Sequence, residues 1–259
     1  MSLHSKNYIK DLYAQWVPKV PLTSTLLEKI GISRQLRYEY LKSGWLEKIG
    51  EGAYKLSKAE ITWEGGLNCL HFQLNKKIHV GGRTALEIQG LGHFLPLSVQ
   101  KVFLFCSIGN VVPKWYTIYP WRDVEIIIAR TNFLPENKGI VSYKTGDIDI
   151  FVSSPERAGL EVLYLLENYH TFDELILLSE GFSNFRPKLM QDLLLSCNSK
   201  KVKRLILLLG KYHQHLWYKR LDLKGIDLGK GIMQIKGGGK YIDEFKLSIP
   251  KKLEDYTNV

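Results

Sequence analysis

The sequence predicts an α+β protein, with an N-terminal winged helix-turn-helix followed by a mixed α/β C-terminal region. Three observations predict it. Across residues 23–56 a capped apolar helix, a glycine turn, a second capped helix and a short alternating hairpin follow one another in that order. Between residues 100 and 152, apolar runs of strand length alternate with turn residues. From residue 153 onward helix starts recur, until a glycine-rich stretch near the C-terminus returns to strand-like alternation.

Residues 5–17 form a first amphipathic helix, with Tyr8, Ile9, Leu12, Tyr13 and Trp16 on its apolar face. Pro18 and Pro21 end it. Thr23 or Ser24 can cap the next helix with its hydroxyl, and Glu28 complements the dipole in its early turns. Leu26, Leu27 and Ile30 are its buried stripe, and Gly31 tolerates the turn that follows. Ser33 caps the second helix, which runs to about residue 43 before Gly44 ends it.

At 3.6 residues per turn, Leu36, Tyr40 and Leu41 of that helix face inward. Arg34, Gln35, Tyr38 and Lys42 face outward, with Arg37 near the boundary. Long cationic and amide side chains in this position can reach phosphates and base edges in a major groove. Trp45, Leu46 and Ile49 then alternate, Glu51-Gly52 turns, and residues 53–56 return. A hairpin in this place is a wing, and Lys48 and Lys55 would set it on the DNA backbone. The predicted DNA-binding set is therefore Ser33, Arg34, Gln35, Arg37, Tyr38, Lys42, Lys48 and Lys55, in a domain spanning residues 1–60. The competing reading is a small helical subdomain with an ordinary solvated face.

Residues 61–259 are predicted as the second domain, with a sub-boundary near 153. Residues 62–75 read as a helix, and His79-Val80-Gly81-Gly82 as a turn into a short helix over 83–90. The wholly apolar run 102–106 predicts a central strand, and 124–129 a second one. Residues 140–143 and 148–152 flank a Lys-Thr-Gly-Asp turn as a strand pair. Ser153 or Ser154, then Pro155 and Glu156, start a helix. Helices follow over 172–180, 187–195 and 199–210. A closing hairpin runs up at 232–235, turns at Gly237-Gly238-Gly239, and returns through Phe245, Leu247 and Ile249.

The 259 residues are 45% apolar, enough for a sizeable core and two or three domains. The formal charge is +10. Residues 1–60 hold ten Lys/Arg against six Asp/Glu, and residues 180–259 hold sixteen against eight, around a near-neutral middle. A surplus at both ends suits a polyanionic partner or an acidic protein surface. Cys69, Cys106 and Cys197 are far apart and odd in number, which excludes a disulfide framework and zinc-finger spacing. No apolar run follows the first lysines, so no signal peptide is expected, and the apolar run 205–209 is too short to span a bilayer. These features predict a soluble cytoplasmic protein.

A second basic site is predicted at Lys200, Lys201, Lys203 and Arg204, in the first turn of a helix capped by Ser199. Cations there oppose the helix dipole, so the site is read as holding an anion or an acidic partner, against the reading of a solvated turn. Asp147 and Asp149, with Glu125, could hold a divalent metal as in nucleases, but acids beside a turn are more often turn chemistry. Gly81-Gly82-Arg83-Thr84 lacks the full phosphate-loop pattern and reads as a tight helix entry. His213 and His215 lack a third ligand, and His71, His79 and His93 pair with no nucleophile. Trp115, Tyr116, Tyr119 and Trp121 could stack on bases, though core packing is the commoner fate of such a cluster.

Several stretches together resemble the AbiEi-type antitoxins of type IV (abortive infection) toxin–antitoxin systems. They are the winged segment ending RQLRYEYLKSGWLEKIGEGAYKL, then HVGGRTALEIQGL at 79–91, SSPERAGLEVL at 153–163, NSKKVKRLILLL at 198–209 and GGGKYIDEFKLSIP at 237–250. The resemblance covers most of the chain, and the order of the pieces carries it. It implies an autorepressor whose N-terminal domain binds inverted repeats in its own promoter. It also implies that the C-terminal domain counters a nucleotidyltransferase-like toxin, with or without direct contact. One departure is Glu161, where the family leads one to expect an aspartate. The expectation is thus a DNA-binding monomer or weak dimer in the cytoplasm, with phage resistance as its setting, no catalytic residues, no metal and no cofactor. The alternatives are a stand-alone winged-helix transcription factor and a metal-dependent enzyme using Asp147 and Asp149.

Overall fold

The computed structural model describes residues 8–91 and 100–250. Residues 5–7 of the predicted first helix and His93 lie outside them. Helix α1 (Tyr8–Gln15) buries Leu12, and a short strand β1 (Leu22–Thr23) follows it. Thr23 Oγ1 accepts from Leu26 N at 3.2 Å, so Thr23 rather than Ser24 caps α2 (Ser24–Lys29). Gly31, at φ +95°, reverses the chain in a conformation that costs other residues energy. Ser33 Oγ accepts from Leu36 N at 3.2 Å and starts α3 (Arg34–Lys42). Strands β2 (Leu46–Gly50) and β3 (Ala53–Leu56) form an antiparallel hairpin, and β1 pairs on the far side of β3. Leu12, Leu22, Leu27, Ile32, Leu46 and Leu56 are the core beneath these elements. Each contributes at most about 1.5–3 kcal/mol by leaving water.

Helix α4 (Trp63–Phe72) leads to β4 (Ile78–Val80), α5 (Gly82–Ile88), β5 (Gln100–Cys106), α6 (Lys114–Ile118) and β6 (Val124–Arg130). Strands β7 (Ile140–Thr145) and β8 (Ile148–Ser153) and helix α7 (Pro155–Tyr164) complete this layer. The five strands are ordered β6-β5-β4-β8-β7. Strand β5 runs parallel to β6, β4 runs parallel to β8, and β4–β5 and β7–β8 are antiparallel. The central strand is thus β4, where the sequence predicted a turn, and the apolar β5 lies beside it. Three residues are too few to show a period of two, and their strand identity comes from the neighbours on either side.

Helices α8 (Phe172–Glu180), α9 (Pro187–Ser196), α10 (Lys200–Tyr212) and α11 (Leu216–Lys219) follow. Thr171 and Glu174 form a reciprocal capping box at the start of α8. The terminal strands β9 (Met233–Gln234), β10 (Gly238–Ile242) and β11 (Leu247–Pro250) correct the predicted hairpin. Strand β11 pairs antiparallel with β10 and parallel with β9, and the reversal occurs at Asp243–Phe245 with Lys246 at φ 48°. Gly238 and Gly239 belong to β10, and a Cβ on Gly238 would lie 2.7 Å from the carbonyl oxygen of Ile235. Close backbone approach, not turn geometry, is what that glycine serves.

The elements from β1 to β3 are not tethered loosely. A Cβ on Gly50 would stand 2.4 Å from Trp115 Cβ, so the end of the hairpin lies directly on α6. Gln73 of the α4 C-cap donates to the carbonyl of Pro21 at 2.7 Å and accepts from Thr23 N at 2.9 Å. Trp115, Tyr116 and Trp121 are buried, with Tyr116 donating to the Trp63 carbonyl and Trp121 to the Tyr116 carbonyl. That aromatic segment is core, not a stacking surface.

Candidate nucleic-acid interface

The sequence of α3 sorts its side chains by burial. Leu36, Tyr40 and Leu41 are half-buried against the N-terminal core, while Arg34, Gln35, Tyr38 and Lys42 are exposed. Among the described residues, none of those four has a side-chain hydrogen bond or ion pair, and Tyr38 is 64% exposed. Lys48 on β2 is likewise exposed and unpaired among them. An unpartnered row of cations, an amide and a phenol, on a helix preceding a hairpin, presents donors to an anion at no cost in broken internal bonds. Ser33 is spent on its cap, which leaves its hydroxyl a positioning role.

Two predicted contacts are corrected. Arg37 is 6% exposed, and its Nη2 lies 2.9 Å from Glu28 Oε1 while Nη1 donates to the carbonyl of Ser24 at 3.3 Å. A guanidinium so engaged joins α3 to α2 and is not offered to phosphate. Lys55 is held by Glu47 at 3.0 Å and by the Ala59 carbonyl at 3.2 Å. Two exposed groups lie beyond the predicted set. Glu39 stands one turn after Gln35, where a carboxylate can accept from a cytosine amino group. Lys114 precedes the Trp115 on which the hairpin rests, and only tertiary docking brings it there.

The second basic site is also corrected. Lys200 pairs with Asp227, and Lys201 lies 3.2 Å from Glu167 Oε2 and donates to the Leu166 carbonyl. Lys203 is 3% exposed, and burial, then the nearby Lys200 charge, lowers its pKa. Arg204 donates to the carbonyls of Leu228 and Lys246 at 2.6–2.8 Å. Lys200 and Arg204 clasp the segment after α11 onto α10, and Lys201 is held by the segment that follows α7, so these three cations are already engaged within the protein. The metal constellation fails on topology. Asp149 is on β8 and Glu125 on β6, with β4 and β5 between, about 14 Å apart at normal strand spacing. Among the described residues no group of three His, Cys, Asp or Glu could hold a metal.

The motifs at 79–91 and 153–163 meet at one carboxylate. Glu161 on α7 is fully buried and accepts from Arg157 Nε at 2.8 Å, His79 Nε2 at 2.9 Å, Ser153 Oγ at 2.7 Å and Gly82 N at 3.0 Å. Burial pushes its pKa up, but His79, Arg157 and Ser153 outweigh burial and hold it below the ordinary carboxylate value. The N-terminus of α5 therefore receives its anion from within the protein. Gly81 is obligatory there, since a Cβ would lie 2.3 Å from Glu161 Oε2. Glu156 takes a bidentate grip on Arg186, and Ser154 sits at the N-cap position without a side-chain cap bond. His213 and His215 bond to Ser179, His213 to its hydroxyl and His215 to its carbonyl, and burial lowers the pKa of both. Among the described residues no helix is long and apolar enough to cross a membrane.

The fold is similar to the crystal structure of the RV2827C protein from Mycobacterium tuberculosis, with a TM-score of 0.62 at 13% identity over 93% of this chain and 89% of that one. At that identity the likeness is one of fold. No curated protein matches the chain. Two family models do. Residues 5–97 match the transcriptional regulator AbiEi antitoxin N-terminal domain, and residues 99–250 match the transcriptional regulator, AbiEi antitoxin, of type IV toxin–antitoxin systems. With the two motifs converging on Glu161 and both models laid end to end along it, the chain belongs to the AbiEi family of antitoxin transcriptional regulators.

Proposed function

We propose that this protein is a sequence-specific DNA-binding autorepressor and the antitoxin of a type IV pair, countering a nucleotidyltransferase-like toxin. The observation that carries the DNA reading is the exposed, unpaired face of α3, Arg34, Gln35, Tyr38 and Lys42, followed by a hairpin with a free Lys48. In this reading residues 1–60 are the winged helix-turn-helix, α3 enters the major groove and the wing rests on phosphate. Residues 61–259 form the antitoxin-type region. Two copies cover an inverted repeat in the protein's own promoter, joining weakly or only on DNA. The protein acts by binding, in the cytoplasm with its operator.

The test is a gel shift of the full chain on its upstream DNA with excess competitor at several salt concentrations. The reading expects a discrete shift that resists competitor and is lost with the Arg34→Ala, Gln35→Ala double variant. A smear that competitor removes, unaffected by those changes, sinks it. Co-expression with a neighbouring nucleotidyltransferase-like protein tests the antitoxin half separately. Growth must be rescued by the intact protein, and failure leaves a regulator without antitoxin action.

A further inference from the structure

Strand β6 lies at one edge of the five-stranded sheet and β7 at the other, so the chain between them must cross the sheet. The crossing segment, residues 131–139, roofs a cavity of about 650 Å³. The cavity opens where the parallel strands β5 and β6 end, at Phe105–Ser107 and Thr131, which is where open α/β sheets place their ligands. Its size is that of a small-molecule site.

The roof is held in place before any ligand arrives. Arg157 Nη1 donates to the carbonyls of Pro135 and Lys138 at 2.6 and 2.7 Å. Asn198 N donates to the Phe133 carbonyl at 2.8 Å, and Lys138 Nζ reaches Ser196 Oγ at 2.8 Å. A segment with no helix or strand of its own thus acquires a fixed shape, and a preformed cavity spares a ligand the cost of ordering it.

The lining has two characters. Phe105, Phe133 and Phe151 line it together with the rings of His71 and His79. The charged lining groups are Lys76, Lys77, Arg157 and Glu136. Arg157 is matched by Glu161 behind the wall, and Lys77 lies 3.4 Å from Glu136. Lys76 remains, half-buried, its ammonium with no hydrogen bond or ion pair among the described residues. A half-buried cation at a cavity lined by rings, with Asn137, Ser142 and Thr131 as neutral polar contacts, asks for an anion attached to a flat, hydrogen-bonding ring.

We propose that this cavity binds a small anionic ligand of the mononucleotide class, its ring against the phenylalanines and its phosphate toward Lys76. This site is separate from the face of α3 and does not depend on the DNA reading.

The experiment is calorimetric titration of the full chain with the four nucleoside 5′-monophosphates, their parent nucleosides and inorganic phosphate. At least one mononucleotide should bind with one site per chain, tenfold or more tighter than its nucleoside and than phosphate alone. Lys76→Gln should weaken it about tenfold, the loss of one charge-assisted contact of about 1.4 kcal/mol. Ser142→Trp, on an exposed position of β7 that lines the cavity, should abolish it, with circular dichroism confirming the fold. Arg34→Ala should leave it unchanged. Absence of binding by every mononucleotide at millimolar concentration overturns the proposal. So does equal binding by the nucleoside or by phosphate alone, or binding that survives Ser142→Trp but not Arg34→Ala.

Discussion

Arg37 Nη2 and Glu28 Oε1, 2.9 Å apart, join the two helices of the helix–turn–helix. Because the same guanidinium also holds the Ser24 carbonyl, the angle of α3 depends on a buried side chain. Replacing Arg37 by alanine should cost about 1–3 kcal/mol in urea unfolding and weaken operator binding through misorientation. Arg34→Ala should weaken binding while changing stability by less than about 0.5 kcal/mol. If Arg37→Ala unfolds like the wild type, the pair is not what sets α3.

The two basic regions should respond in opposite ways to charge removal. Lys48→Ala is expected to weaken all DNA sequences alike and lower the slope of log affinity against log salt by about 1. Lys201→Ala should leave both affinity and slope unchanged, since its ammonium is already held by Glu167. A salt slope that falls with Lys201→Ala would return α10 to the interface.

Glu161 is the most heavily bonded carboxylate of the larger core, and its removal leaves Arg157 and His79 facing each other without it. Glu161→Ala should destabilise the protein by about 3–5 kcal/mol, seen as a large drop in thermal midpoint. Glu161→Gln should cost less, because it keeps an acceptor for Ser153 or Gly82. Equal midpoints for alanine and glutamine would show that the charge itself carries the effect.

Gly50 ties the hairpin to the body of the protein. Gly50→Ala would force its new methyl into Trp115, at a cost of about 1–3 kcal/mol, and should shift the hairpin enough to weaken DNA binding. An unchanged urea midpoint would mean that the hairpin moves freely off α6.

Acid should destabilise the fold before its carboxylates protonate. Burial pushes the pKa of both His71 and His170 down to about 4. The unfolded chain takes up a proton at each from about pH 6.5 downward, while the folded chain does not until about pH 4. Stability is therefore full above pH 6.5 and falls toward pH 4, by up to about 1.4 kcal/mol per pH unit per histidine. His213 and His215, whose pKa burial also lowers, add to the slope. Urea midpoints between pH 7 and 5 measure it, and His170→Asn should reduce it. A slope indifferent to that change would mean the ring is hydrated in the folded state.

Local chemistry was readable from residue types alone. Ser33 and Ser199 cap α3 and α10 as their hydroxyls before helical runs predict, Gly31 takes positive φ, and Pro155 opens α7. The outward set on α3 followed from period 3.6, because one face of that helix alone is packed. Reading failed where a partner far along the chain decides. Strand β4 is a strand because β5 and β8 flank it, and β9 pairs parallel to β11 although the glycines between them suggested a hairpin.

By itself, then, the sequence determined most helix starts and breaks and which face of α3 is polar, since each is settled within a few residues. The tertiary structure decided which charges are free. Lys200 finds Asp227 at a separation of 27 residues, Arg204 finds Lys246 at 42, and Glu161 finds His79 at 82. A charge in a list of residues is a candidate for any anion. Only the folded chain, by burying it beside its own carboxylates and carbonyls, removes it from that list, and Arg37 was removed where Arg34 was not.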